Sequence, residues 1–545
     1  MRKRLAQIDP HADLVIIGGG INGAGVARDA AERGFRVILV EKDDFASGTS
    51  SRTSKLVHGG VRYLEQGAIR LVWEACHERQ TLLRIAPHLV RPLPFVFPLY
   101  EDSRFPPWQL RLGMWLYDVL AAFRNVRRHR MLRPRRSAWL HGLRRGALRA
   151  AALYYDAAMD DTRLVLENIL AARAAGATPL NDVVAQRLLI RDGQVRGVEV
   201  EERQSGARVE LTAPLVLACA GPWTNALLSQ LPGSPRPVAP TRGTHIVVRR
   251  LREHALTLAA GRDGRVFFVL PWVGLTLVGT TDARDDSDPD EIAPTESEIE
   301  YLVAEANRFL PDAHLTRDDV IAAFVGLRPL KDSHGDASER GREHEILEPL
   351  PGLLCVVGGK YTTYRTVAEE IVDRVEKRLG KRKPCRTDRT ALPGGQLAWS
   401  AREHWEEGAR FQEAVAHEAS ESGVRPDAVR HLYRVYGARA PRVLALVHEN
   451  DALGRALCAH QPHIGAEVVI AVREEMALHL DDWYLRRSCV GFHACHGFDS
   501  LERVADLFAA ELGWNAATRA QEIGRARREL ERIALTRSPA SRRSA

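Results

Sequence analysis

Residues 13–44 read DLVIIGGGINGAGVARDAAERGFRVILVEKDD. The apolar run Leu14–Ile17 has the composition of a strand buried on both faces. Gly18-Gly19-Gly20-Ile21-Asn22-Gly23 follows and satisfies G-x-G-x-x-G. In that pattern Gly18 makes the tight turn, Gly20 lets backbone approach a pyrophosphate, and Gly23 lets helix and strand pack closely. Ala24, Val26, Ala27, Ala30 and Ala31 suit a helix lying on a sheet, with its first amides facing the phosphates. FRVILVE is a second parallel strand, and Glu41 ends it at the distance expected of a ribose-hydroxyl acceptor. The glycine pattern alone is weak. Preceded by a strand, opening a helix and followed by its acid, it predicts a dinucleotide site, and it does not separate NAD from FAD.

Working outward, 545 residues imply two or three domains. Hydrophobic residues make up 45% and charged residues 27%, which is a globular balance. The start, MRKRLAQIDP, lacks the apolar segment of a secretory signal, and no apolar run is long enough for a membrane span. Seven scattered cysteines fit a reducing compartment better than a disulfide framework. Cys489, His493, Cys495 and His496 cluster in sequence but lack a C-x2-C pair, so no metal site is expected there. Net charge is +7, concentrated in RNVRRHRMLRPRR (124–136), Arg144, Arg145, Arg149 and the tail RSPASRRSA. An anionic membrane surface or a solvated face explains this charge better than nucleic acid, because no nucleic-acid-binding module accompanies it.

Helices are expected over 68–90 and 160–177, the second with Asp160 and Asp161 at its start. The Asp192-Gly193 pair marks a hairpin turn. Leu215–Ala220 is a further buried strand ending in a glycine turn, and 242–282 is rich in strands of antiparallel character. PGLLCVVGGKYTTYRTVAEEIVDRVEKRL returns to strand, glycine turn and helix. From about 398 the pattern is helical, after a linker-like KRKPCRTDRTALPGGQ.

The stretch SSRTSKLVHGGVRYLEQG (50–67) begins nine residues after Glu41. It is too polar for a buried strand, and its glycines suit close approach to a ligand. Together with MDDTRLVLEN, ACAGPWTN, VGLRPL and VVGGKYTTYR, in that order, it resembles the FAD-dependent glycerol-3-phosphate dehydrogenases, the bacterial respiratory type in particular. The resemblance implies an α/β fold: an FAD-binding Rossmann-like domain of the glutathione-reductase and D-amino-acid-oxidase kind, an antiparallel β cap and an all-α C-terminal domain. The expected limits are a tail at 1–12, a discontinuous FAD domain at 13–100, 150–235 and 321–380, a cap at 101–149 and 236–320, a helical domain at 398–525 and a basic tail at 526–545. It also implies oxidation of sn-glycerol 3-phosphate to dihydroxyacetone phosphate, with hydride passing from C2 to flavin N5 and electrons to a membrane quinone. A cytoplasmic protein held peripherally on the inner membrane face, and a possible homodimer, go with that reading. An oxidase using oxygen, an amino-acid or amine oxidase, and a non-catalytic flavin-binding protein are the alternatives.

By position in the family motifs, Gly18, Gly20, Gly23 and Glu41 hold the nucleotide, and Ser50, Ser51, Ser54, Lys55, Leu56 and His58 run along the FAD. Val184, Ala220, Gly221, Gly359, Lys360 and Thr362 are further cofactor contacts. A dianionic phosphate calls for guanidinium forks. Arg328 and Arg342 are the expected pair, with Arg340 competing for the second place. Arg62 and Tyr63 are expected in the substrate pocket. His58 is a candidate for taking the C2 hydroxyl proton, because an imidazole titrates near neutrality. His245 is a second candidate, with a sheet-edge packing role as its plain alternative. Lys360 either tunes the flavin or contacts substrate.

Overall fold

The computed structural model describes residues 3–65, 67–103, 105–123, 125–133, 137–144, 146–261, 264–332, 344–380 and 383–535; the side chains of Arg62 and Glu65 are outside that description. The opening stretch folds as β1 (Leu14–Ile17), α1 (Ile21–Glu32) and β2 (Val37–Val40). β1 is central in a six-stranded sheet, between β2 and the strand Leu215–Ala218, both parallel to it. Thr178–Leu180 extends the sheet beyond β2, and Leu353–Gly358 and then antiparallel His344–Leu350 extend it on the other side.

Both faces are buried, as the unbroken apolar runs require. Side chains alternate between faces along a strand. Leu14 and Ile16 pack with α1 and the helices Asp161–Ala174 and Tyr364–Leu379. Val15 and Ile17 pack instead on a three-stranded antiparallel sheet formed by Val183–Arg191, Gln194–Glu202 and Arg208–Thr212. Asp192 and Gly193 turn its first hairpin with φ of 50° and 70°, the left-handed pair of a tight hairpin turn. Asp160 accepts from the Arg163 N–H at 3.0 Å and caps the helix that follows.

A ten-stranded, largely antiparallel sheet lies beyond. It corrects the expected domain limits. Val90–Tyr100, Leu148–Met159 and Val320–Lys331, assigned largely to the cofactor domain from sequence, pair within this second sheet. Three prolines in VRPLPFVFPLY hid the first of these strands. They share one parity, so they remove N–H donors from one edge only, and the ladder to Leu148–Met159 runs the full length of the strand. Val320–Lys331 likewise pairs along its length with Val238–Val248.

From Ala401 the described elements are helices, as expected. This part is locked to the parallel-sheet domain by buried charge. Arg163 makes a two-pronged contact with Glu475 at 2.7 and 2.8 Å, and Arg439 reaches the same carboxylate at 2.9 Å. Arg487 forks onto Asp44 at 2.8 and 2.9 Å, and Arg486 joins it at 2.6 Å. Burial alone would raise the Glu475 pKa, but Arg163 and Arg439 outweigh it and bring it from 4.5 down to about 2. The interlock is therefore at full strength above about pH 4.5 and is lost as pH falls towards about 2. Glu475→Gln leaves buried guanidinium groups without their counter-charge and is expected to cost about 3–5 kcal/mol in a denaturant titration at pH 7. An unchanged midpoint would show that the interlock contributes nothing.

Candidate active site

A cavity of about 530 Å³ starts at the carboxyl ends of β1 and β2 and runs to the large sheet. This is where open parallel sheets bind ligands. At one end Gly18 takes φ of +110°, and a Cβ there would collide with the Cys219 carbonyl. A Cβ on Gly23 would strike the Gly18 carbonyl oxygen, so the helix start can descend onto the turn only without one. Glu41 is partly buried beside this turn and accepts from the Gly19 N–H at 2.6 Å and the Asp43 N–H at 3.0 Å. Burial pushes its pKa up to about 7 in spite of those two bonds. Ser50 Oγ accepts from the Ile21 N–H at 3.0 Å, and Val184, Ala220 and Gly221 line the same end.

The stretch 50–67 crosses from one sheet to the other. Ser54, Leu56 and His58 border the cavity along the way. The His58 carbonyl accepts from Lys360 Nζ, and its N–H donates to Thr362 Oγ1 at 3.3 Å, which ties the crossing to the glycine turn at 358–359. At the far end the His58 ring sits edge-on to Phe268, with centroids 6.1 Å apart. Tyr63 is buried, with Lys360 Nζ 5.2 Å from its ring centroid. Arg328 also lines this end. Asp282 at 2.9 Å, Thr280 Oγ1 at 2.9 Å and the carbonyls of Arg242 and Thr281 at 3.2 Å orient its guanidinium. His245 faces the same space, with Nε2 2.9 Å from Ser54 Oγ and its ring stacked on Phe324. Burial, then the nearby charges of Arg328 and Lys55, drive its pKa well below the ordinary value, so it is neutral.

Comparison with known proteins agrees with this geometry. Residues 13–374 match the family model for FAD dependent oxidoreductases, and 385–519 match the C-terminal domain of alpha-glycerophosphate oxidase. A glycerol-3-phosphate dehydrogenase of Synechocystis is 37% identical over 92% of this chain and 93% of its own. An aerobic glycerol-3-phosphate dehydrogenase of Staphylococcus haemolyticus is 34% identical over 87% and 86%. The crystal structure of the glycerol-3-phosphate dehydrogenase from Bacillus halodurans complexed with FAD superimposes with a TM-score of 0.78 at 29% identity, covering 96% of this chain and 95% of that one. The chain belongs to the FAD-dependent glycerol-3-phosphate dehydrogenase family.

FAD is the cofactor of this flavoprotein family, and the residues present fit it. A side-chain-free turn and an acid stand at one end of a long cavity, and a polar, aromatic-walled chamber at the other. Of the residues expected along the cofactor, Gly23, Ser51 and Lys55 do not border the cavity. Gly23 lies beneath the turn and serves packing. Ser51 Oγ donates to the Gly48 carbonyl at 3.3 Å. Lys55, at φ of +57°, points into the protein, where its ammonium binds both oxygens of Asp161 at 2.8 and 2.9 Å and the Ser51 carbonyl at 2.6 Å. A buried ammonium needs a counter-charge, and Asp161 supplies it away from the ligand. Gly359, Lys360 and Thr362 border the cavity. Arg342, its competitor Arg340 and the Arg62 side chain lie outside the described residues. Cys489, His493, Cys495 and His496 do not share one center: His493 bonds Gln461, His496 bonds the Gly491 carbonyl, and Cys495 faces Cys458.

Sequence reading missed the support under His58. The Gly59 N–H donates to Tyr117 Oη at 3.0 Å and Asp156 Oδ1 at 3.2 Å, and Arg79 binds that same Asp156. These residues come from two helices and a strand of the second sheet, with no motif to mark them. Phe268 and Thr280 were missed for the same reason.

With its pKa raised to about 7, a Glu41 that accepts a ribose hydroxyl in its charged form would release its proton when FAD loads below about pH 7. Calorimetry of FAD binding to the apoprotein near pH 6.5 is expected to show proton release, seen as different heats in buffers of different ionization enthalpy, and Glu41→Gln is expected to abolish it. Equal heats for the wild type would remove the ribose role.

Proposed function

We propose that this chain oxidizes sn-glycerol 3-phosphate to dihydroxyacetone phosphate and passes the electrons to a membrane quinone. The observation that carries the substrate reading is Arg328, a fixed guanidinium at the end of the cavity remote from the nucleotide turn. Bound FAD supplies a two-electron acceptor for the C2 hydride. In this reading Arg328 binds the substrate phosphate, and Tyr63 closes the wall beside Lys360. Lys360 adds positive charge where the substrate and reduced cofactor carry negative charge. Arg62 and Arg342 complete the proposed pocket by their place in the family motifs. The C2 hydroxyl proton passes to an imidazole of the pair His58 and His245, which border the chamber. His58→Gln and His245→Gln identify which: loss of the acceptor lowers kcat by about 10²-fold or more and removes the acidic limb of the kcat–pH profile, whereas loss of an orienting ring raises KM. No kcat effect in either variant would overturn an imidazole acceptor.

Arg328→Ala is expected to retain bound FAD and to lose affinity for glycerol 3-phosphate by about 10²-fold or more, since charge-assisted hydrogen bonds are each worth about 1.5–3 kcal/mol. Turnover of glycerol should change little. Equal losses for both substrates would refute the phosphate role.

No helix among the described residues is long and apolar enough to cross a membrane. A bilayer acceptor then calls for a docking face. Trp108, Leu112 and Trp115 lie on one stripe of the helix Pro107–Leu120 and are 62%, 56% and 54% exposed. Ile69 and Trp73 of the helix Ile69–Ile85 are half exposed, and Phe123 and Val126 follow the first helix. Arg70, Arg111, Arg127 and Arg128 are exposed beside these residues in the chain. Apolar residues with an arginine fringe suit insertion into an anionic membrane surface. The proposed contact thus centers on this face, next to the arginine-rich run; Arg124, 134–136, Arg145 and the tail from 536 lie outside the described residues. Trp108→Asp with Trp115→Asp is expected to weaken sedimentation with anionic vesicles by tenfold or more, at about 1.5–3 kcal/mol per buried side chain, while turnover with a soluble acceptor dye is unchanged. Undiminished vesicle binding would move the contact elsewhere. Stoichiometric peroxide from the wild type, with no quinone reduction, would replace quinone by oxygen as acceptor.

A further inference from the structure

Outside the lining of the flavin cavity, the helical domain gathers three ligand-bearing side chains that the proposed reaction does not use. His431 is on the helix Pro426–Tyr436, His463 stands just before the helix Gly465–Arg473, and Glu467 is in that helix's first turn. Their donor atoms all lie within 4.8 Å of one another. Glu467 Oε1 faces both His431 Nε2 and His463 Nδ1 at 3.1 Å, and Oε2 accepts the Ile464 N–H at 2.9 Å. The imidazole rings are 4.4 Å apart and cross at 78°, so each can direct one nitrogen to the shared oxygen without stacking.

The spacing lies between that of charge-assisted ion pairs and that of a coordination shell. Charge-assisted N–H···O contacts usually measure about 2.7–2.9 Å. A tetrahedral zinc with bonds of about 2.0–2.2 Å places its ligands about 3.3–3.6 Å apart. The 3.1 Å contacts lie between these values, and a small outward movement of the imidazoles opens room for an ion. Two imidazole nitrogens and one carboxylate oxygen suit zinc. The His431 side chain is 18% exposed, so the cluster is not fully sealed from solvent.

We propose that His431, His463 and Glu467 form a binding site for a divalent transition-metal ion of the zinc class. The ion would cross-link the helix Pro426–Tyr436 to the start of Gly465–Arg473. The chain leaving the second helix reaches Glu475, which holds Arg163 of the parallel-sheet domain. Metal at this point would stiffen the anchor of that interlock.

The test uses tag-free, FAD-loaded full-length protein stripped of metal. Titration with zinc against a chelating dye is expected to show about one equivalent bound per chain, with binding about tenfold weaker or worse in His431→Gln and Glu467→Gln. Zinc should raise the thermal midpoint of the wild type and not that of Glu467→Gln. Cobalt substituted into the wild type should give the visible bands of a four-coordinate ion without a thiolate-to-cobalt charge-transfer band. That spectrum decides the matter even if a variant fails to fold. A second group, Cys458, Cys495 and Asp499, is the internal control. A thiolate band that disappears in Cys458→Ser would assign the metal there and overturn the proposal. So would zinc binding unchanged in His431→Gln and Glu467→Gln, or no binding to the wild type.

Discussion

The fold is organized by one close approach: α1 begins so near the end of β1 that a Cβ on Gly23 would meet the carbonyl oxygen of Gly18. That contact lowers the helix start onto the strand end and leaves backbone, rather than side chains, facing the cavity. The parallel neighbors of β1, and the strand Leu353–Gly358 beyond one of them, end on the same edge, so their turns, at Glu41, Ala220 and Gly359, converge on one groove. The site at the carboxyl edge of the sheet is a consequence of this packing as much as of any single binding residue.

The second sheet completes the chamber by supplying a wall that the parallel sheet lacks. Residues 50–67 join the two parts, and their conformation is over-determined. Lys55 is tied to Asp161 on one side, and the Gly59 N–H to Tyr117 and Asp156 on the other, with Lys360 and Thr362 holding His58 between them. A polar strand-like segment with several glycines would be mobile alone. Here Lys55, His58 and Gly59 are each held by a buried charge or hydroxyl. The same stretch therefore contains both residues that face the cavity and residues, such as Lys55, that make the facing possible.

The buried arginines show how the helical domain is held in register with this core. Arg163 and Arg439, from opposite sides of the boundary, share Glu475, while Arg439 also reaches Glu167 and Arg486 and Arg487 reach Asp44. Such pairs are directional and costly to break singly, so they specify one docking geometry where apolar contact alone would tolerate sliding.

The order of short-range events was legible in the amino-acid sequence. The first βαβ unit, the Asp192-Gly193 hairpin, the Asp160-capped helix and the helical character after 398 all follow from periodicity, turn chemistry and capping, which act over a few residues. Motif order was enough to assign the flavin-dependent family and to bring Arg328, Lys360, Tyr63 and His58 under suspicion together. Tertiary structure alone decided which side each of these faces. It turned Lys55 inward, brought His245 to the cavity, moved Val90–Tyr100 and Leu148–Met159 into the second sheet, and placed Asp156 and Tyr117 beneath Gly59. Those outcomes depend on strand pairing and buried-charge compensation between segments up to hundreds of residues apart, and neither leaves a trace in local composition.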